Sequence, residues 1–169
     1  RRQRQMIIRD RDNADTTKAK TGDEITVSFT VDDNVLATPT ATIQTKAATV
    51  AVDGAHPNYT AKYTLIGTDT EGAVAFTLDF SDEAGNAATQ VTAVTDASSV
   101  NVDRTAPTAT SVSIASNNGT STVAKSGDVI TVSFTVDDDM LATPTATIQS
   151  QSATVAVNGA HPNYNATYT

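Results

Sequence analysis

Ile25-Thr26-Val27-Ser28-Phe29-Thr30-Val31 alternates apolar and hydroxyl-bearing residues without a break. Side chains on a strand point to opposite faces in turn, so Ile25, Val27, Phe29 and Val31 share one face and the threonines and serine share the other. Such a strand covers a core on one side and meets water on the other, as in antiparallel sheets. The same reading extends outward. Tyr59–Leu65 places Tyr59, Ala61, Tyr63 and Leu65 on one face, and Val74, Phe76, Leu78 and Phe80 form a third stripe. Shorter strands fit Ala41–Gln44, Thr49–Val52, Gln90–Val94 and Ser99–Val102. Asp53-Gly54, His56-Pro57-Asn58, Glu71-Gly72 and Ala84-Gly85-Asn86 supply turn chemistry between them. No 12-residue window keeps helical spacing. About seven short strands with turns between them predict an all-β, two-sheet sandwich.

The stretch around Ile25–Val31 occurs twice. Residues 20–64 and 125–169 are identical at 35 of 45 positions, in register and without a gap, at an offset of 105. Solenoid units run about 20–50 residues, so this period is that of a whole small domain. The expected organisation is one unit over 1–105 and a second over 106–169, the latter without counterparts of Leu65–Thr105. Uncovered apolar side chains cost about 1.5–3 kcal/mol each. Residues 106–169 are therefore not expected to fold alone; either the chain continues or another chain donates the missing strands. The opening of the second unit, Thr108–Ile114, reads as a strand, whereas Arg1–Asp12 matches it no better than chance. A different N-terminal segment, a reading-frame slip in the gene and an expression artefact remain open for that stretch.

Charge and composition bound the partners. The 169 residues carry a net charge of −8 and no Cys. Residues 1–20 sum to +4 and the remainder to −12. An acidic repeat lacks the basic patches that nucleic acid or an anionic membrane requires. No apolar run reaches the roughly 20 residues of a membrane span, so no membrane insertion is expected. Met6-Ile7-Ile8 is too short for the core of a signal peptide. Without disulfides, each unit must hold by packing.

Three motifs, in order, carry a resemblance: Val102-Asp-Arg-Thr-Ala-Pro-Thr108, Gly127-Asp-Val-Ile-Thr-Val-Ser-Phe-Thr-Val136, and Asp79-Phe-Ser-Asp-Glu-Ala-Gly-Asn86. Together, over residues 20–169, they resemble the bacterial immunoglobulin-like tandem repeats of large surface proteins and adhesins. In that family a Thr-Ala-Pro-Thr peptide opens each unit and an Asp-x-Ala-Gly-Asn turn joins the last two strands. The resemblance implies immunoglobulin-like sandwiches in tandem, an extracellular or cell-surface location, neighbouring repeats as partners and no enzymatic activity. It also implies a role as spacer or filament-forming unit. The alternative is a carbohydrate- or surface-ligand-binding module that uses loops such as Ala55–Asn58.

The acidic residues are the candidates for chemistry. Asp32, Asp33, Asp137 and Asp138 follow the same strand in the two copies, Asp82 lies in a turn, and Asp103 lies at the unit boundary. Calcium takes six to eight oxygens from such loops, and in related adhesin strings it stiffens unit junctions. Calcium is thus the one candidate cofactor, against the reading that these are solvated turn carboxylates. His56 and His161 occupy the same loop position in the two copies and gain no partner from spacing. Thr38–Thr42 and Thr143–Thr147 read as wet strand faces. Asn58, Asn118 and Asn165 open N-glycosylation patterns. No phosphate loop, nucleophile elbow or metalloprotease motif is present.

Overall fold

The computed structural model describes residues 6–10, 15–32, 34–35, 37–138 and 142–169. The chain divides into two compact units, residues 1–104 and 105–169. All the regular structure among the described residues is β. Unit 1 runs β1 Met6–Asp10, β2 Lys18–Ala19, β3 Glu24–Thr30, β4 Thr40–Ile43, β5 Lys46–Ala47, β6 Thr49–Val52, β7 Asn58–Thr64, β8 Gly72–Ala73, β9 Phe76–Asp79 and β10 Asn101–Val102. Unit 2 runs β11 Ala109–Ser116, β12 Ile130–Val136, β13 Thr147–Ile148, β14 Gln151–Ser152, β15 Thr154–Val157 and β16 Asn163–Tyr168.

In unit 1 the opening heptapeptide is the spine of an antiparallel sheet ordered β1-β3-β7-β6. Ile25 and Val27 are fully buried and Phe29 nearly so. Tyr59 and Ala61 of β7 lie beside them, with Phe29 and Tyr59 paired across the strands and their rings stacked at 5.6 Å. A second sheet, β5-β4-β9, contributes Ala41, Ile43, Phe76 and Leu78 to the same core. A third, β2-β10-β8, adds Ala19 and Val102, with β10 parallel to β2. The result is the sandwich that the alternation predicts.

The stripe Val74–Phe80 is not one strand. Gly72–Ala73 pairs with β10, and Phe76–Asp79 pairs with β4. Between them Val74 donates its N–H to Val100 at 2.9 Å, while the Ala75 carbonyl accepts from Gln44 at 2.9 Å. The segment thus changes partners midway while its side chains go on alternating. Gln90–Val94 contributes one bridge, Val91 to Leu78, instead of a strand. The strand expected over Ser99–Val102 shortens to Asn101–Val102.

The atypical opening segment also forms a strand. Ile8 pairs with Val27 and Asp10 with Ile25. In unit 2 Ile114 pairs with Val132 and Ser116 with Ile130. Since Val132 corresponds to Val27 at the offset of 105, Ile114 takes the place of Ile8 at an offset of 106. The one-residue difference brings the apolar faces of the two strands into phase, although at the offset of 106 only Ile8 and Ile114 are identical over residues 6–10. β11 also carries a register shift between Thr110 and Ser113, a bulge of the kind that accommodates an extra residue.

Unit 2 builds the matching sheet, β11-β12-β16-β15, and a small hairpin, β13-β14. Its faces are less covered. Met6 and Ile8 are each 3% exposed, whereas Val112 and Ile114 are 62% and 69% exposed. Ile8→Ala should therefore cost about 2–4 kcal/mol of unit 1 stability, since a buried aliphatic is lost. Ile114→Ala should cost under about 0.5 kcal/mol, as an exposed site does. Denaturant melts of both variants check the pair; equal losses would contradict the burial difference.

The two-residue hairpin loops in both units use non-glycine residues at positive φ: Gln44 and Thr45 at 49° and 64°, Gln149 and Ser150 at 54° and 60°. Two-residue loops favour this mirror-image turn because its twist matches the strands. A β-branched residue in the left-handed region is strained by about 1–2 kcal/mol. Glycine removes that strain and adds unfolded-chain entropy of about 0.4–1 kcal/mol. Thr45→Gly should thus raise unit 1 stability by about 0.5–1 kcal/mol, visible in the midpoint of a urea melt.

Candidate functional site

The acidic residues of the repeat fold into turns, and their oxygens take up backbone and side-chain donors there. In Asp82–Asn86, Asp82 Oδ1 accepts the Asn86 backbone N–H at 2.8 Å and Oδ2 accepts the Asn86 side-chain amide at 2.9 Å. Gly85 donates its N–H to the Asp82 carbonyl at 3.0 Å and sits at φ 88°, a conformation glycine adopts freely. The turn is thus closed from within by its first and last residues. The Asn86 side-chain amide, and then its backbone N–H, hold the Asp82 carboxyl below the usual carboxylate value.

The boundary peptide is tied in the same way. Arg104 donates its backbone N–H to Glu71 Oε1 at 3.0 Å and a guanidinium N–H to the Gly67 carbonyl. Four residues on, the Thr108 N–H meets Asp137 Oδ1 at 2.7 Å and the Thr108 hydroxyl donates to Asp137 Oδ2. Each flank of Thr105-Ala-Pro107 is therefore fastened within its own unit. The Thr108 hydroxyl and N–H hold the Asp137 carboxyl low.

The remaining calcium candidates lie apart from these. Asp32 is exposed after β3, Asp138 is half-buried after β12, and Asp33 lies outside the described residues. Asp103 is half-buried and donates its N–H to the Ala19 carbonyl at 2.7 Å. Among the described residues no three Asp, Glu, His or Cys side chains gather closely enough to hold a metal ion. The sequence groups these carboxylates by position after a strand, and the fold spends Asp82 and Asp137 on local closure.

His56 and His161 sit exposed in equivalent loops, each edge-on to a tyrosine, Tyr59 and Tyr164, at 6.0 Å between ring centroids. Each tyrosine stacks in turn on a phenylalanine of the central strand. The loop is held by Val31 N–H to the Pro57 carbonyl and Val136 N–H to the Pro162 carbonyl, both 3.0 Å. Asn58 and Asn165 face hydroxyl partners across the sheet, Thr30 at 3.0 Å and Ser133 at 2.8 Å. Thr42 meets Thr77 at 2.8 Å, so this threonine of the wet face joins β4 to β9.

Three further carboxylates carry structural weight. Asp23 accepts the Lys20 backbone N–H at 2.8 Å and the Lys20 ammonium at 2.9 Å. Asp128 repeats this with Lys125 at 2.8 and 2.6 Å and accepts the Asn118 amide as well. The signal was visible as Lys-x-Gly-Asp at 20–23 and 125–128, with Gly22 and Gly127 at φ 97° and 88°. Asp69, 3% exposed, accepts the Tyr63 hydroxyl at 3.0 Å and the Ile66 N–H at 2.7 Å. Burial first, and then the Asp69 carboxylate, push the Tyr63 hydroxyl up. Nothing in the spacing of Tyr63 and Asp69 marks them as partners.

No family model matches the chain, and no curated protein matches it.

Five aspartates are held below the ordinary value of 3.8: Asp15 and Asp96 by the Thr17 and Ser98 hydroxyls, Asp82 by Asn86, Asp128 by Asn118 and then Lys125, and Asp137 by Thr108. In each, the unfolded chain binds the proton more readily than the folded one. Their contribution is thus complete above the unfolded value and is lost as pH falls through the lower folded values. Melting temperature should be level from pH 7 to about 5 and fall steadily below about 4. Asn86→Ala should return the Asp82 carboxyl toward 3.8 in an NMR titration and flatten that acid limb.

Proposed function

We propose that the chain is a structural repeat module of an extracellular, surface-borne protein, built of immunoglobulin-like sandwiches that act as spacers. One observation carries the reading: a domain-sized β unit recurs at 35 of 45 positions, and the peptide between the copies is fastened on both flanks. Repetition of a whole folded unit multiplies length, and fastened flanks shorten the slack between units. Asp23 and its counterpart Asp128 close the same turn in both copies, so this repeated chemistry serves shape. This favours a mechanical, non-enzymatic role, with neighbouring repeats as the partners. The Thr-Ala-Pro-Thr peptide and the Asp-x-Ala-Gly-Asn turn, now seen as a tied linker and a self-closed turn, support the resemblance to adhesin repeats. Calcium enters this reading as the stiffener of unit junctions that the resemblance implies, with Asp103 at the unit boundary as its candidate ligand.

Stretching one chain between its ends should show a discrete unfolding event for unit 1. The gain in contour length should be on the order of 350 Å, from about 3.4 Å per residue over the unit. Gradual extension with no discrete event would refute a load-bearing spacer. Melting in millimolar calcium and in chelator tests the stiffener separately. A rise with calcium that Asp103→Asn abolishes is the expected result, and identical curves would remove calcium from the proposal.

A further inference from the structure

Asparagine precedes glycine twice in the chain, at Asn118-Gly119 and Asn158-Gly159. Glycine has no Cβ, so its backbone nitrogen approaches the preceding side chain with the least crowding. The fold treats the two pairs differently. Asn158 and Gly159 are exposed in the loop between β15 and β16. Gly159 sits at φ 77°, and Ala160 donates its N–H to the Asn158 carbonyl at 3.0 Å, a γ-turn about the glycine. Among the described residues no hydrogen bond holds the Asn158 side-chain amide or the Gly159 N–H. Open space lies where a Cβ of Gly159 would stand. Asn118, by contrast, is half-buried and held at both ends of its amide. Its amide nitrogen donates to Asp128 Oδ2 at 2.8 Å, and its Oδ1 accepts the Thr120 N–H at 3.2 Å.

We propose that Asn158 is a site of spontaneous deamidation through a cyclic imide. The Gly159 backbone nitrogen bonds to Asn158 Cγ, and the Cγ–Nδ2 bond breaks. The proton of the attacking nitrogen passes through water to Nδ2, which leaves as ammonia. Water then opens the ring at either carbonyl, giving aspartate or isoaspartate. Water is the only co-reactant. The aspartate product is one the fold already holds, because the first copy carries Asp53-Gly54 at this place. There Asp53 donates its N–H to the Asn58 carbonyl at 2.9 Å, and Ala55 donates to the Asp53 carbonyl at 2.9 Å. The matching bonds of Asn158 and Ala160 are 2.8 and 3.0 Å. Isoaspartate is different. It routes the main chain through Cβ and displaces the carbonyl that Ala160 uses, so it disturbs the tip of the β15–β16 hairpin. The exposure belongs to the loop itself, since residues 53–56 and 158–161 are exposed alike in the two copies. Asn118 has the same neighbour but must give up both hydrogen bonds before its Cγ can turn toward Gly119.

The test ages the full chain in neutral buffer, folded and in urea, and follows each asparagine by peptide mapping. Mass spectrometry reads the gain from amide to carboxylate, with fragmentation that separates isoaspartate from aspartate. In urea, Asn118 and Asn158 should react at similar rates. In the folded chain Asn158 should react about tenfold or more faster than Asn118, which alone must break hydrogen bonds first. Both products should form at position 158, and the rate should rise with pH because the attacking nitrogen must lose its proton. Gly159→Ala should slow the reaction in urea as well as in the fold, which separates crowding at the nitrogen from a change in turn shape. The proposal is overturned if Asn158 in the folded chain is as slow as Asn118, or if Gly159→Ala reacts at the original rate. It is equally overturned if aspartate forms without isoaspartate, since direct hydrolysis would then be the route.

Discussion

Burying one face of Ile25–Val31 is the constraint on which unit 1 depends. Four apolar side chains on alternate positions must be removed from water while the backbone of the strand stays paired. The sheet satisfies the backbone, with β1 and β7 on either side of β3. The face is then covered from across the core by Ile43, Phe76 and Leu78. Strands β4 and β9 are held to one another by four residue pairs and reach the first sheet through side-chain packing. The switch of partner at Val74–Ala75 follows from the same need. One segment must close both the β2-β10 sheet and the β4 sheet over a single core, and a bend between two short strands allows it.

Around this core the polar residues act locally. Asp23 with Lys20, Asp82 with Asn86, Asp128 with Lys125 and Asn118, and Asp137 with Thr108 all join residues near a turn or a strand end. Exposed ion pairs add little to stability, but a carboxylate that accepts backbone N–H groups fixes the path of the chain. That distinction matters for the function. In the proposed spacer role a repeat gains from turns and strand ends of fixed shape, and Asp82 and Asp137, which look like ligands in the sequence, help to fix them.

Much of the fold was legible. The strands at β3, β6 and β7 lie where alternation places them, since a wet face of Thr and Ser opposite Val, Ile and Phe leaves one reading. The Asp82–Asn86 turn was legible as turn chemistry, though its closure by two hydrogen bonds was not. Less was legible where pairing is set from a distance. The run at Val74–Phe80 reads as one strand because side-chain period does not record which neighbour the backbone meets. Gln90–Val94 reads as a strand, yet its two valines are three apart and so cannot both follow a two-residue period; only Val91 pairs. The opening strand was hidden because its residues differ from those of the second copy at either offset, and the one-residue shift also reverses its faces in a gapless comparison. The bond of Tyr63 to Asp69 was hidden because it depends on how the chain turns after β7.

The sequence by itself determined the class of structure, the size of the unit, its repetition and the residues that face inward. These follow from local period and from identity between the copies, which need no knowledge of distant contacts. Tertiary structure alone decided the rest. It set the partner of each strand edge, the register of Met6–Asp10, and the use of Asp82 and Asp137 as closures. The physical reason is that side-chain alternation fixes the face a residue occupies, whereas backbone pairing and cover depend on segments up to ninety residues away, such as Thr95 and Ser98 over Met6 and Ile8.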